Sequence, residues 1–169
     1  MNRPNIRIVP ALEGERLDQI KELFREYWAA FGFSPCFQGF SSELDALPGN
    51  YSPPGGRLLL ALVDGAPAGC IALRPHEETR CEAKRLWVKP EYRGQGIGKK
   101  LMERIIEEAR LEGYRELLGD TMPYMTEAIS MYDRLGFERG EAYLADPTPC
   151  AIPIRLVLLS GPSKTREEI

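Results

Sequence analysis

Apolar positions along the chain follow two rhythms, and the change from one to the other outlines the fold. Leu17, Ile20, Leu23, Phe24, Tyr27, Trp28 and Phe31 recur at helical spacing, which predicts a helix over 15–31 with one buried stripe, ended by Gly32. A short strand over 5–9 precedes it. The aromatic stretch 33–40, broken by Pro35 and Gly39, reads as a loop. A second short helix is expected to take Ser41 or Ser42 as its N-cap and to stop before Pro48. After the punctuation of Pro53-Pro54-Gly55-Gly56, apolar runs at 57–63 and 68–74 flank Asp64-Gly65, a hairpin turn signal. A further hairpin through His76–Thr79 leads to a strand over 80–88.

Beyond Val88 the pattern changes. A glycine-rich loop opens a helix with Ile97, Leu101, Ile105, Ile106 and Ala109 on one face, capped by Gly113. A strand over 115–121, a helix over 126–135, a strand over 137–143 and a last strand over 152–159 follow. Antiparallel strands followed by a β-α-β-α-β half predict an α/β (α+β) fold, a mixed central β-sheet flanked by helices. One domain over 6–160 is expected, with a polar, disordered tail over 161–169.

Composition narrows the function classes. A formal net charge of -3 disfavours a nucleic-acid partner held through phosphates. No apolar run approaches the roughly 18 residues of a membrane span, and no signal-peptide core opens the chain. Cys36, Cys70, Cys81 and Cys150 are scattered and His76 is the single histidine, so neither a metal site nor a disulfide framework is expected. These features together predict a cytoplasmic protein with no membrane partner.

The candidate chemistry begins at Arg93-Gly94-Gln95-Gly96-Ile97-Gly98. Alternate glycines let a ligand reach the backbone, and the first N–H groups of a helix lack partners at the positive end of its dipole. That combination suits a diphosphate, with Arg93, Lys99 and Lys100 adding positive charge. A Walker A loop is excluded, because Arg93 and Lys100 occupy the positions that it reserves for Gly and Ser/Thr. A dinucleotide fingerprint is excluded because its glycines have a different spacing and directly follow a strand.

The segment Leu86-Trp87-Val88-Lys89-Pro90-Glu91-Tyr92-Arg93-Gly94-Gln95-Gly96-Ile97-Gly98 resembles the acetyl-CoA motif of the GNAT acetyltransferase superfamily, with its core [QR]-x-x-G-x-[GA]. Ala128-Ile129-Ser130-Met131-Tyr132-Asp133-Arg134-Leu135-Gly136-Phe137 resembles the family's A-x-x-x-Y-x-x-x-G-F signature, in the expected order and spacing. The resemblance implies an acetyl-CoA-dependent N-acetyltransferase acting on a primary amine of a small molecule or amino acid, with acetylation of protein or peptide N-termini or lysines, or a non-catalytic acetyl-CoA-sensing module, as the alternatives. It implies no metal.

By that resemblance, Leu86, Trp87, Val88, Arg93, Gly94, Gln95, Gly96, Ile97, Gly98, Lys99, Ala128 and Tyr132 contact the co-substrate. A bulge near Trp87 and Val88 would turn backbone groups outward toward its pantetheine arm. Met125 stands where many members carry a cofactor-contacting Asn. Tyr132 is the expected proton donor to the leaving thiolate. Glu82 matches the base of the family's histone-modifying branch and Asp120 that of its ribosomal-protein branch. The acceptor wall would comprise Phe31, Phe33, Phe37, Gln38, Phe40 and Tyr51, and Arg74, Lys84 and Arg85 are candidates to hold a substrate carboxylate. Members of the family often form homodimers, a state that the sequence leaves open.

Overall fold

A computed structural model of the chain describes residues 3–31, 39–144 and 150–158. Its centre is a mixed sheet of seven strands among those residues: β1 (Ile6–Pro10), β2 (Arg57–Val63), β3 (Ala66–Pro75), β4 (Arg80–Val88), β5 (Glu116–Thr121), β6 (Glu138–Arg139) and β7 (Ile152–Val157). They lie in the order β1-β2-β3-β4-β5-β7-β6, and β4–β5 is the parallel pair within an otherwise antiparallel sheet.

Helices cover both faces. On one side α1 (Gly14–Ala30) and α2 (Phe40–Ala46) bury Ile20, Leu23, Phe24, Trp28 and Phe40 against Leu58, Leu60, Leu62, Cys70, Ala72 and Trp87. On the other, α3 (Ile97–Leu111) buries Leu101, Ile105 and Ala109 against Leu59, Ala61, Ile71 and Leu73. The short α4 (Thr126–Leu135) adds Tyr132 to that second layer. The alternation within β2 and β3 therefore feeds two cores, which is why both strands are apolar almost throughout. No helix among the described residues is long and apolar enough to cross a membrane.

Two elements differ from the sequence expectation. The second helix begins at Phe40, with Gly39 rather than a serine as its N-cap, so Ser41 and Ser42 lie inside its first turn. Stacking of Phe40 on Trp28, centroids 4.3 Å apart and planes 4° from parallel, ties down the start. The strand expected over 137–143 is reduced to Glu138–Arg139. Gly140 still donates to the Pro153 carbonyl at 2.9 Å, but Pro153 has no N–H to return and the ladder ends. The chain then carries Tyr143 toward β4. Gly32, the tail and the expected strand end at Leu159 lie outside the described residues.

Two departures from regular pairing build the site. The β4–β5 ladder covers only Arg80–Glu82 against Glu116–Leu118, so no ladder joins the two strands beyond Glu82 and Leu118. Against β3, Cys70 pairs with Trp87 and Ala72 with Lys84, leaving Arg85 and Leu86 opposite Ile71. This is a β-bulge, with Arg85 at φ +62. It sits two residues before the Trp87–Val88 position that the resemblance implied.

Candidate active site

A cavity of about 840 Å³ occupies the region where β4 and β5 part, bounded by the ends of those strands, the loop before α3, α4 and the last turn of α1. At its α3 end, a turn over Pro90–Tyr92 brings the chain from β4 to Gly94 (φ +83) and Gly96 (φ +76). Both glycines hold left-handed backbone that a side chain would strain. Gly96 is the N-cap of α3, with no side-chain cap and no acidic residue in the first turn. The leading amides of α3 thus have neither an internal acceptor nor a competing carboxylate in their own turn. A Cβ at Gly94 or Gly96 would meet no protein atom within 4 Å. This cradle of open backbone donors fits the linked phosphates of coenzyme A.

Leu86, Trp87, Val88, Arg93, Ile97, Gly98, Ala128 and Tyr132 also line the cavity, whereas Gln95 and Lys99 are exposed and do not. Lys99 pairs with Glu103 at 3.6 Å along the helix. Arg93 folds back, its Nε donating to the Val88 carbonyl at 3.0 Å and its guanidinium lying 4.8 Å over the Trp87 ring. Its charge therefore stands at the end of β4 rather than free above the loop. Met125 lines the cavity, and its sulfur accepts from the Thr121 hydroxyl at 3.6 Å.

Tyr132 comes from α4 and is 7% exposed, its ring set edge-on against Phe137. No side-chain partner engages its hydroxyl among the described residues. Burial, with a lesser contribution from Tyr27, pushes its ionisation well above the ordinary tyrosine range, so the phenol stays protonated and available as a donor.

The two candidate carboxylates differ sharply. Glu82 is 1% exposed, and both oxygens are engaged: Arg74 Nε donates to Oε1 and the Tyr143 hydroxyl donates to Oε2, each at 2.6 Å. Asp120 lines the cavity with an exposed side chain and no protein partner among the described residues. Desolvation by the cavity walls, followed by the charge of Glu82, pushes its pKa up to about 6, and Lys84 opposes the rise.

Toward α1 the lining turns aromatic with Tyr27, Trp28 and Phe31. Phe40 and Tyr51, expected in this wall, are instead buried behind it, where Tyr51 donates to Glu43 at 2.6 Å. Phe33, Phe37 and Gln38 lie outside the described residues. Of the three cations suggested for a carboxylate, Lys84 and Arg85 line the cavity, while Arg74 does not and pairs with Glu82. Burial, then the charge of Arg85, lowers the Lys84 pKa to about 8.

Sequence reasoning missed Glu43 and Tyr143. Glu43 interrupts the helical apolar stripe of Phe40, Leu44 and Leu47, a signal that was available; Tyr143, 61 residues from its partner Glu82, gave none.

Comparison with known proteins agrees with this geometry. Residues 17–137 match the model of the acetyltransferase (GNAT) family. An uncharacterized N-acetyltransferase of Schizosaccharomyces pombe is 35% identical over 158 residues, covering 92% of this chain and 97% of that protein. An IAA acetyltransferase of Azospirillum brasilense is 33% identical over 152 residues, covering 88% and 95%. Among solved structures, the PaiA N-acetyltransferase of Thermoplasma acidophilum in complex with coenzyme A shares the fold at a TM-score of 0.71, with 22% identity over 90% of this chain and 99% of that one. On the match over 17–137 and the near full-length relatives, the chain belongs to the acetyltransferase (GNAT) family and is an acetyl-CoA-dependent N-acetyltransferase.

Proposed function

We propose that this enzyme transfers the acetyl group of acetyl-CoA directly to the primary amine of a small molecule or amino acid within a ternary complex. One observation carries the reading: Asp120 and Tyr132 reach a single cavity from opposite sides of the sheet, one poised to take a proton and the other to give one. The co-substrate supplies an activated thioester. The amides opening α3 and the open backbone at Gly94, Gly96 and Gly98 hold its diphosphate, while Trp87 and Val88 mark the strand end beside its pantetheine arm.

An alkylammonium with a pKa of about 10 is not a nucleophile until it loses a proton. Asp120, ionised at neutral pH yet with its pKa raised to about 6, accepts that proton, directly or through a water. The amine nitrogen then bonds to the acetyl carbon as the carbon–sulfur bond breaks, and the nitrogen sheds its second proton to water to become the neutral amide. Tyr132 gives its proton to the departing sulfur, and exchange with solvent returns both groups to their starting states. Glu82, with both oxygens already engaged, positions Arg74 and Tyr143 and raises the pKa of Asp120 rather than meeting the amine.

Direct transfer is supported by the thiols. Cys70 and Cys81 are buried, burial raises the pKa of both, and neither they nor Cys150 lines the cavity. No cysteine among the described residues is placed to form an acyl-enzyme. A small acceptor is favoured over a protein chain by the aromatic wall from α1, and the relative named IAA acetyltransferase points the same way.

The test is a thiol-release screen with acetyl-CoA against amino acids, polyamines, aminoglycosides and short peptides. Release with small amines supports the reading. Release confined to peptides, or none with any amine, overturns it.

A further inference from the structure

We infer that the acceptor carries a carboxylate, held by Lys84 and Arg85 side by side on the acceptor face of β4, so that the substrate class is the amino acids and related aminocarboxylates. This rests on the transferase reading and adds to it a fixed recognition element.

Successive residues of a strand normally face opposite sides of a sheet. Here the extra residue in β4 breaks that rule. Ala83 and Leu86 pack on the α3 core, while Trp87 packs on the α1 core. Arg85 reaches Tyr27, Trp28 and Phe40 on that same α1 side. The residue before it, Lys84, has the α1-facing parity of Glu82. The bulge therefore presents two consecutive cations on one face, and it holds Arg85 at φ +62, a conformation that non-glycine residues seldom adopt. Strain at a cavity wall marks a position whose side chain is held for use.

The two cations are set differently. Arg85 is 5% exposed, with its guanidinium 5.2 Å from the Trp28 ring centre and 5.6 Å from that of Tyr27. Its Nε donates to Glu43 at 3.0 Å, and Tyr51 fixes the other oxygen of Glu43. Beyond Nε, the guanidinium also hydrogen-bonds the Tyr27 side chain, and the residue lines the cavity. A guanidinium anchored by Glu43 and Tyr27 adds fixed positive charge to the cavity wall beside Lys84, where a carboxylate is attracted. Lys84 lines the same cavity and has no ion-pair partner among the described residues, because the neighbouring Glu82 is committed to Arg74 and Tyr143.

Local charges then reduce to a simple pattern. Glu43 balances Arg85, and Glu82 balances Arg74. That leaves Lys84 and Asp120 on the two parting strands, of opposite sign and facing one space, while Arg93 and Glu127 line the same cavity from the loop before α3 and from α4. An aminocarboxylate is the complement of Lys84 and Asp120, with its ammonium toward Asp120 and its carboxylate toward Lys84 and the neighbouring charge of Arg85. A simple alkylamine would leave Lys84 without a counter-charge, which selects against it.

The test compares kcat/KM for matched acceptors, namely L-amino acids and ω-amino acids against their carboxamides and decarboxylated amines, in the wild type and in Lys84→Met. We expect the free carboxylates to be preferred by about tenfold or more, and Lys84→Met to cut that preference by about tenfold, mainly through KM. Equal or better turnover of the carboxamides, or the same preference in Lys84→Met, overturns the inference. Removing Arg85 from its aromatic cage risks the fold, so the lysine variant carries the test. Calorimetric binding of the same amino acids to the CoA-bound protein separates the two levels of the argument. If no amine releases thiol, the transfer reading falls. The carboxylate clamp then stands on binding that weakens in Lys84→Met, and falls if that binding is absent or indifferent to the substitution.

Discussion

Replacing Gly98 by alanine separates stability from co-substrate binding. Gly98 is the second residue of α3, and its φ lies outside the left-handed range, unlike those of Gly94 and Gly96. A Cβ built there meets Val88 Cγ2 at 3.7 Å, an ordinary contact. The fold alone therefore gains from the exchange, by about 0.5–1 kcal/mol from the lower backbone entropy of alanine. For a chain of this size, that is a rise in Tm of roughly 1–4 °C. The same methyl stands in the cavity wall beside the amides that would grip the diphosphate. If it weakens CoA about tenfold, the stabilisation at a concentration of 100 wild-type dissociation constants drops from about 2.7 to about 1.4 kcal/mol. Thermal denaturation with and without CoA reads both effects: the apo Tm rises and the CoA-dependent shift roughly halves. Gly96→Ala has the opposite apo effect, losing about 1–2 kcal/mol to left-handed strain at φ +76, and the same binding effect. A CoA shift that survives intact in both variants would refute the placement of the diphosphate.

The remaining predictions concern proton transfer and charge. Asp120→Asn should lower kcat/KM by about 10²–10⁴ and abolish a break near pH 6, below which the wild type loses activity as the carboxylate takes up a proton; an unchanged profile would remove Asp120 from the chemistry. Tyr132→Phe should lower kcat by about 10²-fold with a smaller effect on KM in steady-state assays. Glu82→Gln should destabilise the fold by about 1–3 kcal/mol in thermal or urea denaturation, because the amide keeps one acceptor oxygen where Arg74 and Tyr143 each use one, and Arg74 loses its counter-charge. It should also move the acid limb below pH 6, because the charge of Glu82 is the second cause of the raised Asp120 pKa. The KM of aminocarboxylates should rise above about pH 8 as Lys84 loses its proton, a value set by burial first and then by the charges of Arg85, Glu82, Arg74 and Glu43.

What the sequence revealed follows the reach of each signal. The helices α1 and α3 and the strands β2 to β4 were legible because burial on a defined face imposes a period over many residues. The glycine loop was legible because alternate glycines before a helix are costly without a ligand to approach them. The length of β6 was hidden in Pro153, a residue of the partner strand rather than of β6 itself. The commitment of Glu82 depends on Tyr143, 61 residues later, and so separates it from Asp120 only in three dimensions. The bulge had left a trace. Lys84 and Arg85 are adjacent polar residues that end the alternation of Arg80-Cys81-Glu82-Ala83, and that break in the period of two falls at the extra residue.

The claim on which the account rests is that the amide groups opening α3 grip the phosphates of the co-substrate. A ¹H–¹⁵N NMR titration of the full chain with CoA observes those groups one by one. The account predicts that the amides of Gly94, Gly96, Gly98 and Lys99 shift most, and that pantetheine without its phosphates leaves them nearly still. Largest shifts elsewhere on the molecule, with the loop unmoved at saturation, would contradict it.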